Sequence, residues 1–456
     1  MSNTVAIRGS VLTFKDDPFK VGDDKAALYI KDGLVIVEDG KISEVGAYQD
    51  LENKIPKGIK VQDRSDDLIT AGFIDTHVHY PQTPMIAAFG EQLLDWLNQY
   101  TFPTEAKFKD RKFAKEVAQI FLRETLKAGT TTSVVYGTVF PQSVDEFFKE
   151  SERLNTRMIA GKVLMDRNAP EEILDTPETG YRESKELIEK WHNKGRQLYC
   201  ITPRFAPTCT SEQLGLAGKL YHEYPDVYLQ THLCENKGEI EWVKELFPDC
   251  KSYADVYEKH NMMGPRTIYG HCVHFTEEDF QLMHDRDASI SHCPTSNFFL
   301  GSGLFDLKAA KDQRRPVRTG IGTDIGAGTS LSQLQTLNEA YKVAQLRGNK
   351  LTAIQSYYLA TRGSAESIQL ENKIGSLEKG FEADIVVWDM KSSDLIEFRE
   401  KFSKDWKESL FNQLIMADDR SVRETYVYGQ LVYNRDKDYF LTEKEQKEKD
   451  RILKSA

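Results

Sequence analysis

The sequence predicts an α/β protein built on a (β/α)8 TIM-like barrel, with a small composite β-sandwich domain formed by both termini. Three observations carry that expectation. Eight short β-branched runs alternate with helix-patterned stretches, β-rich segments occupy both ends of the chain, and histidines and carboxylates recur where the runs end.

The N-terminal segment, residues 1–67, alternates apolar and polar positions, and LVIVEDGKISEVG sets Asp39-Gly40 between two β-like runs, a hairpin signal. EADIVVWDM and TYVYGQLVYNR have the same character near the other end, with a turn expected at Gly429 and Gln430. Residues 376–440 therefore read as the second half of the β domain, carrying a helical insertion at about 391–420, and 441–456 as a charged, solvated tail. Between the halves, residues 68–375 hold the eight runs: 68–80, 130–139, 156–165, 198–207, 227–235, 267–275, 288–296 and 318–326. Helices fall in the gaps, including KFAKEVAQIFLRETLKAG stopped by Gly129 and SKELIEKWHNKG stopped by Gly195.

Composition narrows the function. A formal net charge of -11 offers no positive field for phosphate backbones, so no nucleic acid partner is expected. Six dispersed cysteines without a CxxC pair argue against a disulfide framework or a zinc knuckle. The opening stretch has no basic region followed by an apolar run and a cleavage site, and no stretch reaches membrane-spanning length. The expectation is a cytoplasmic protein with reduced thiols and no membrane partner.

His77 and His79 stand two apart at the end of the first run, and side chains at i and i+2 of a strand share a side. A single His-x-His is weak, because paired strand histidines also serve as interior hydrogen-bonding groups. Its weight comes from coincidence: His232 ends run five, His271 ends run six and Asp324 ends run eight. Strand C-termini of a barrel open on one face, where active sites are built. Imidazoles with a carboxylate suit Zn²⁺, with Fe²⁺ possible. A dinuclear centre commonly needs a modified lysine on the fourth strand, where this chain has Arg204, so one ion per subunit is expected, with one position left for water. Glu235, three residues past His232, reads as a proton shuttle or as a carboxylate at the start of the next helix. Arg204 reads as a substrate contact or as half of a salt bridge, and Cys234, Cys272 and Cys293 as packing residues.

AGFIDTHVHYPQ, GEQLLDWLNQYTFPTE, PRFAPTCT, THLCEN, GHCVHF, SHCPTSNFFLGSG and GIGTDIGAG together resemble the guanine deaminases of the amidohydrolase superfamily. The resemblance implies zinc on His77, His79, His232 and Asp324, proton transfer by Glu235 and Asp324, and a metal-bound water oriented by His271. It also implies guanine as substrate, contacted by Gln82, Arg204, Phe205, Glu235 and Trp96, hydrolytic deamination to xanthine and ammonia in purine metabolism, and a homodimer. His274 and His292 receive no ligand role.

Overall fold

The computed structural model describes residues 4–89 and 93–442, organised by two sheets. The expected tail therefore lies outside the described residues from 443 onward, as do 90–92 of the GEQLLDWLNQYTFPTE segment.

Strands β1 (Thr4–Phe14), β2 (Ala27–Glu38), β3 (Lys41–Ala47) and β4 (Val61–Ala71) open the chain. The barrel follows with β5 (Phe73–His79), β6 (Thr130–Tyr136), β7 (Arg157–Gly161), the two-residue β8 (Val163–Leu164), β9 (Leu198–Pro203), β10 (Tyr228–Leu233), β11 (Thr267–His271), β12 (Ser289–His292) and β13 (Arg318–Ile321). The chain closes with β14 (Ile385–Asp389), β15 (Val422–Val427), β16 (Gln430–Asn434) and β17 (Tyr439–Phe440).

The terminal strands form one sheet, ordered β17-β16-β15-β14-β4-β1-β2-β3, so the two ends of the chain join where β14 pairs antiparallel with β4. Ile7, Val35, Ile42, Ile69, Val387 and Tyr426, from six strands of this one sheet, share one apolar cluster. Its two hairpin turns meet. Asp39 and Gly40 have φ 49° and 82°, and Tyr428 and Gly429 have φ 48° and 75°. The second turn therefore falls one residue earlier than expected, with Gln430 already in β16. A Cβ on Gly40 would lie 2.1 Å from the Tyr428 ring, so this contact requires glycine. The insertion is helical, at Asp394–Glu400 and Trp406–Met416.

All eight barrel runs are strands, parallel and adjacent in chain order. The first run divides: Leu68–Ala71 belongs to β4 of the terminal sheet, and the barrel begins at Phe73 after the break at Gly72. The helix Arg111–Lys127 stops just before Gly129, whose φ is 81°. The helix Pro177–Trp191 ends before Gly195, because His192 leaves helical geometry and uses its imidazole to accept from the Tyr199 N–H.

The barrel closes between β5 and the segment after β13. The Asp324 N–H donates to the His77 carbonyl (2.9 Å) and the His79 N–H to the Ile325 carbonyl (2.8 Å). At the N-terminal end of the strands, Ile74, Val134, Ile159, Tyr228 and Ile268 pack with Ile368 and Ile374 into an apolar plug. Polar side chains are thereby concentrated at the C-terminal mouth. Arg157 and Arg196, on the barrel, both bind Glu382, which leads into β14 and fastens the β domain to it.

Candidate metal and substrate site

Alternation along β5 sends Asp75, His77 and His79 to the same side. His77 Nε2 and His79 Nε2 lie 3.3 and 3.4 Å from one oxygen, Asp324 Oδ1, and His79 Nε2 lies 3.1 Å from His232 Nε2. One ligand atom from each of these four buried residues lies within 4.8 Å of every other. Asp75 braces the arrangement: its carboxylate accepts from the backbone N–H groups of His77 and Thr323, and burial raises its pKa to about 7. Asp324 (φ 51°) and His271 (φ 73°) both occupy the left-handed region, a strain that surrounding structure sustains chiefly at functional sites.

The protonation pattern suits a cation. His232 Nδ1 donates to the Arg204 carbonyl at 2.6 Å, which leaves Nε2 as a bare lone pair facing the centre. Burial holds His79 and His232 well below the ordinary imidazole pKa, neighbouring histidines lowering His232 further. Burial opposes ionisation of Asp324, yet His77, His271 and His79 around it keep its carboxyl below the usual range. Neither ring nitrogen of His77 has a hydrogen-bond partner, so unpaired buried ring nitrogens converge on the Asp324 carboxylate. That donor set fits one divalent metal ion. A second cluster, His271, Cys293 and Asp324, is a weaker host, because burial keeps the Cys293 thiol protonated.

Register explains how His77 fits. His232 of β10 lies opposite Gly270 of β11, and a Cβ on Gly270 would approach His77 Cε1 to 2.5 Å. The sequence reading missed this glycine, although it immediately precedes His271.

Glu235 is not the cap of the following helix. Asn236 caps Lys237–Leu246 and Glu239 completes the capping box, leaving the Glu235 carboxyl turned inward. Its Oε2 lies 3.4 Å from His271 Nε2. Burial, then the charge of Asp324, pushes the Glu235 pKa well above the usual range and favours a proton-donating form. His271 Nε2 lies 3.6 Å from Asp324 Oδ2, while its Nδ1 donates to Asn297 Oδ1 at 2.9 Å. Asn297, unassigned from sequence, thus orients the ring.

The mouth holds a partly open pocket into which His79, His232, Glu235, His271 and Asp324 face together with Gln82, Arg204, Phe205 and Trp96. Gln82 lies in the turn Tyr80–Met85, and its carboxamide oxygen accepts from the Gly326 N–H at 3.0 Å. Trp96 is anchored by its indole N–H, which donates to the Ala88 carbonyl, and joins Phe205 and Leu300 in an apolar cluster over the barrel mouth.

Arg204 does have a carboxylate partner, and it is buried in this pocket wall. Its Nη1 donates to both oxygens of Glu105, at 3.0 and 2.8 Å. Gln82 Nε2 donates to the same carboxylate at 3.3 Å, so Glu105 is the common anchor of two predicted substrate contacts. No pattern in the apolar segment around Phe102 marks this acid as buried. Only a basic residue at the end of a distant strand hints at it.

Residues 68–432 match the family model described as Amidohydrolase family. Guanine deaminase of Escherichia coli is 48% identical over 433 residues, 94% of this chain and 98% of that one. Its structure superposes with a TM-score of 0.92, covering 94% of this chain and 100% of the other. Guanine deaminase from Bradyrhizobium japonicum gives a TM-score of 0.92 at 39% identity, covering 95% and 99%. A guanine deaminase from C. acetobutylicum with guanine bound in the active site gives 0.84 at 30% identity, covering 94% and 100%.

Proposed function

Because the chain belongs to the amidohydrolase family, we propose that it is a guanine deaminase, converting guanine and water to xanthine and ammonia. The observation that carries this reading is one pocket in which the four-residue metal-type group meets Arg204 and Gln82, both braced by Glu105.

His77, His79, His232 and Asp324 would hold a single ion, Zn²⁺ in our reading with Fe²⁺ the alternative, and that ion would supply Lewis acidity to lower the pKa of water towards about 7. Asp324 accepts a proton from the attacking water and His271 orients that water. Glu235 delivers a proton to ring nitrogen N3 of guanine, removing the aromatic resistance to addition at C2. The new C–O bond forms at C2 as the C2–N3 π bond opens. The exocyclic amine then takes the proton held by Asp324, the C2 hydroxyl gives its proton to Glu235 as the C2=O bond forms, the C2–N bond breaks, and ammonia leaves. Arg204 donates to the 6-oxo group, where adenine would present an amine, and Gln82 pairs with the amide-like edge. Phe205 and Trp96 supply apolar walls.

Chromatographic turnover of guanine, adenine, cytosine and 8-oxoguanine, with metal analysis of the same sample, tests this reading. Guanine is expected to be the best substrate, with one ion per chain; faster release of ammonia from any of the other three overturns the assignment. Among the described residues no helix is long and apolar enough to cross a membrane. We read the protein as a cytoplasmic homodimer, which light scattering checks for its oligomeric part.

A further inference from the structure

The acid Glu235 sits on a short link between the end of β10 at Leu233 and the helix Lys237–Leu246. Its neighbour Cys234 holds φ 51°, in the left-handed region that residues other than glycine avoid. Such a conformation persists only where surrounding bonds over-determine it. Three backbone groups of this link are tied down. The Cys234 carbonyl accepts from the His274 N–H at 3.2 Å, and the N–H groups of Glu235 and Asn236 both donate to Glu239 Oε2, at 3.0 and 3.1 Å.

Glu239 therefore does more than a helix cap requires. A capping box needs this carboxyl only for the N–H of the cap residue, which is Asn236. The second N–H on the same oxygen belongs to Glu235, outside the helix. The other oxygen, Oε1, accepts from the Tyr253 hydroxyl at 2.7 Å.

Tyr253 shares one face of the helix Tyr253–Lys259 with Tyr257, one turn on. The Tyr257 hydroxyl donates to the His232 carbonyl at 2.8 Å and accepts from the N–H of Ala206, next to Phe205, at 3.0 Å. Glu239, Tyr253 and Tyr257 are all buried, and none of them lines the substrate pocket. They reach the site through its backbone alone.

We propose that Glu239 is a positioning residue for the proton transfer assigned to Glu235, clamping the Glu235 backbone while Tyr253 fixes the clamp from behind. This rests on the deaminase reading. Without the clamp, Cys234 is free to leave the left-handed region, and the Glu235 carboxyl moves from its place 3.4 Å from His271 Nε2. Arg204 and Gln82 keep their anchor on Glu105, so the loss falls on kcat.

Steady-state kinetics on guanine with the metal-loaded full chain test this, with metal content measured on each sample. Glu239→Ala is expected to lower kcat by about ten- to hundred-fold, the scale of a misplacement near 1 Å, with KM within about three-fold of the parent. Burial, then the charge of Glu235, pushes the Glu239 pKa up to about 7, and glutamine keeps both the acceptor oxygen and the shape. Glu239→Gln is therefore expected to retain kcat within about three-fold of the parent. Tyr253→Phe leaves the helix cap whole and frees only Oε1, for an expected fall in kcat of about three- to ten-fold. That variant decides the matter if Glu239→Ala does not fold. Parental kcat in Glu239→Ala or Tyr253→Phe, a loss carried by KM, or a loss in Glu239→Gln equal to that in Glu239→Ala overturns the positioning role and leaves the deaminase reading standing. A parent chain that does not turn over guanine overturns both.

Discussion

Replacing Glu105 by glutamine removes one charge from the pocket wall and leaves its shape nearly intact. In the native arrangement Arg204 Nη1 donates to both carboxylate oxygens, at 3.0 and 2.8 Å, and both side chains are buried. Hydrogen bonds involving an ionised acceptor contribute about 1.5–3 kcal/mol, against about 0.5–1.5 kcal/mol for neutral partners. The carboxamide keeps one acceptor and turns an N–H towards the guanidinium, so about 1–2 kcal/mol of Arg204 anchoring is lost. At about 1.4 kcal/mol per factor of ten, that amounts to a fall of roughly 5- to 30-fold in kcat/KM for guanine. The loss should appear mainly in KM, because Glu105 acts through Arg204 and Gln82 and not at the reacting carbon. Steady-state kinetics on guanine, with circular dichroism and metal content as controls, measure it. A folded, metal-loaded Glu105→Gln protein with KM within two-fold of the parent would refute the anchoring role, as would a loss confined to kcat.

Three further outcomes are expected. Glu235→Gln should retain its metal and lose turnover by about 10²- to 10⁴-fold, the usual worth of general acid–base catalysis; near-normal rates would remove Glu235 from proton transfer. Gly270→Ala should lower the metal content of the purified protein, because the added methyl would stand 2.5 Å from His77 Cε1; full occupancy after dialysis would show that the ring can yield. Arg157 and Arg196 hold the Glu382 carboxyl below its ordinary range although burial opposes them. With its folded pKa lowered, this group adds stability above about pH 4.3, the ordinary glutamate value, and loses it as pH falls through the lower folded value. The Tm advantage over Glu382→Gln should therefore be present at pH 7 and shrink below about pH 4. A gap that holds constant into acid would count against the linkage.

Much of the metal site is legible in one dimension. His77 and His79 read as a pair because a strand has a period of two, and His232, His271 and Asp324 read as their partners because each ends a β-branched run. The substrate wall is less so. Arg204 is visible just past the end of β9, but its dependence on Glu105 joins residues 99 positions apart through a contact with no periodic signature. Asn297 is hidden for a similar reason, since its role rests on one hydrogen bond between the short helix Pro294–Phe299 and the end of β11.

By itself the sequence determined the alternation of strand and helix, the pairing of the two termini into one β domain, and the identity of the groups at the strand ends. All of these follow from local periodicity and residue chemistry. Only the tertiary structure decided what those groups face: that Asn236, and not Glu235, caps the next helix, that Gly270 makes room for His77, and that Glu105 holds Arg204 and Gln82. Burial and distance belong to the folded chain, and they set protonation and orientation there.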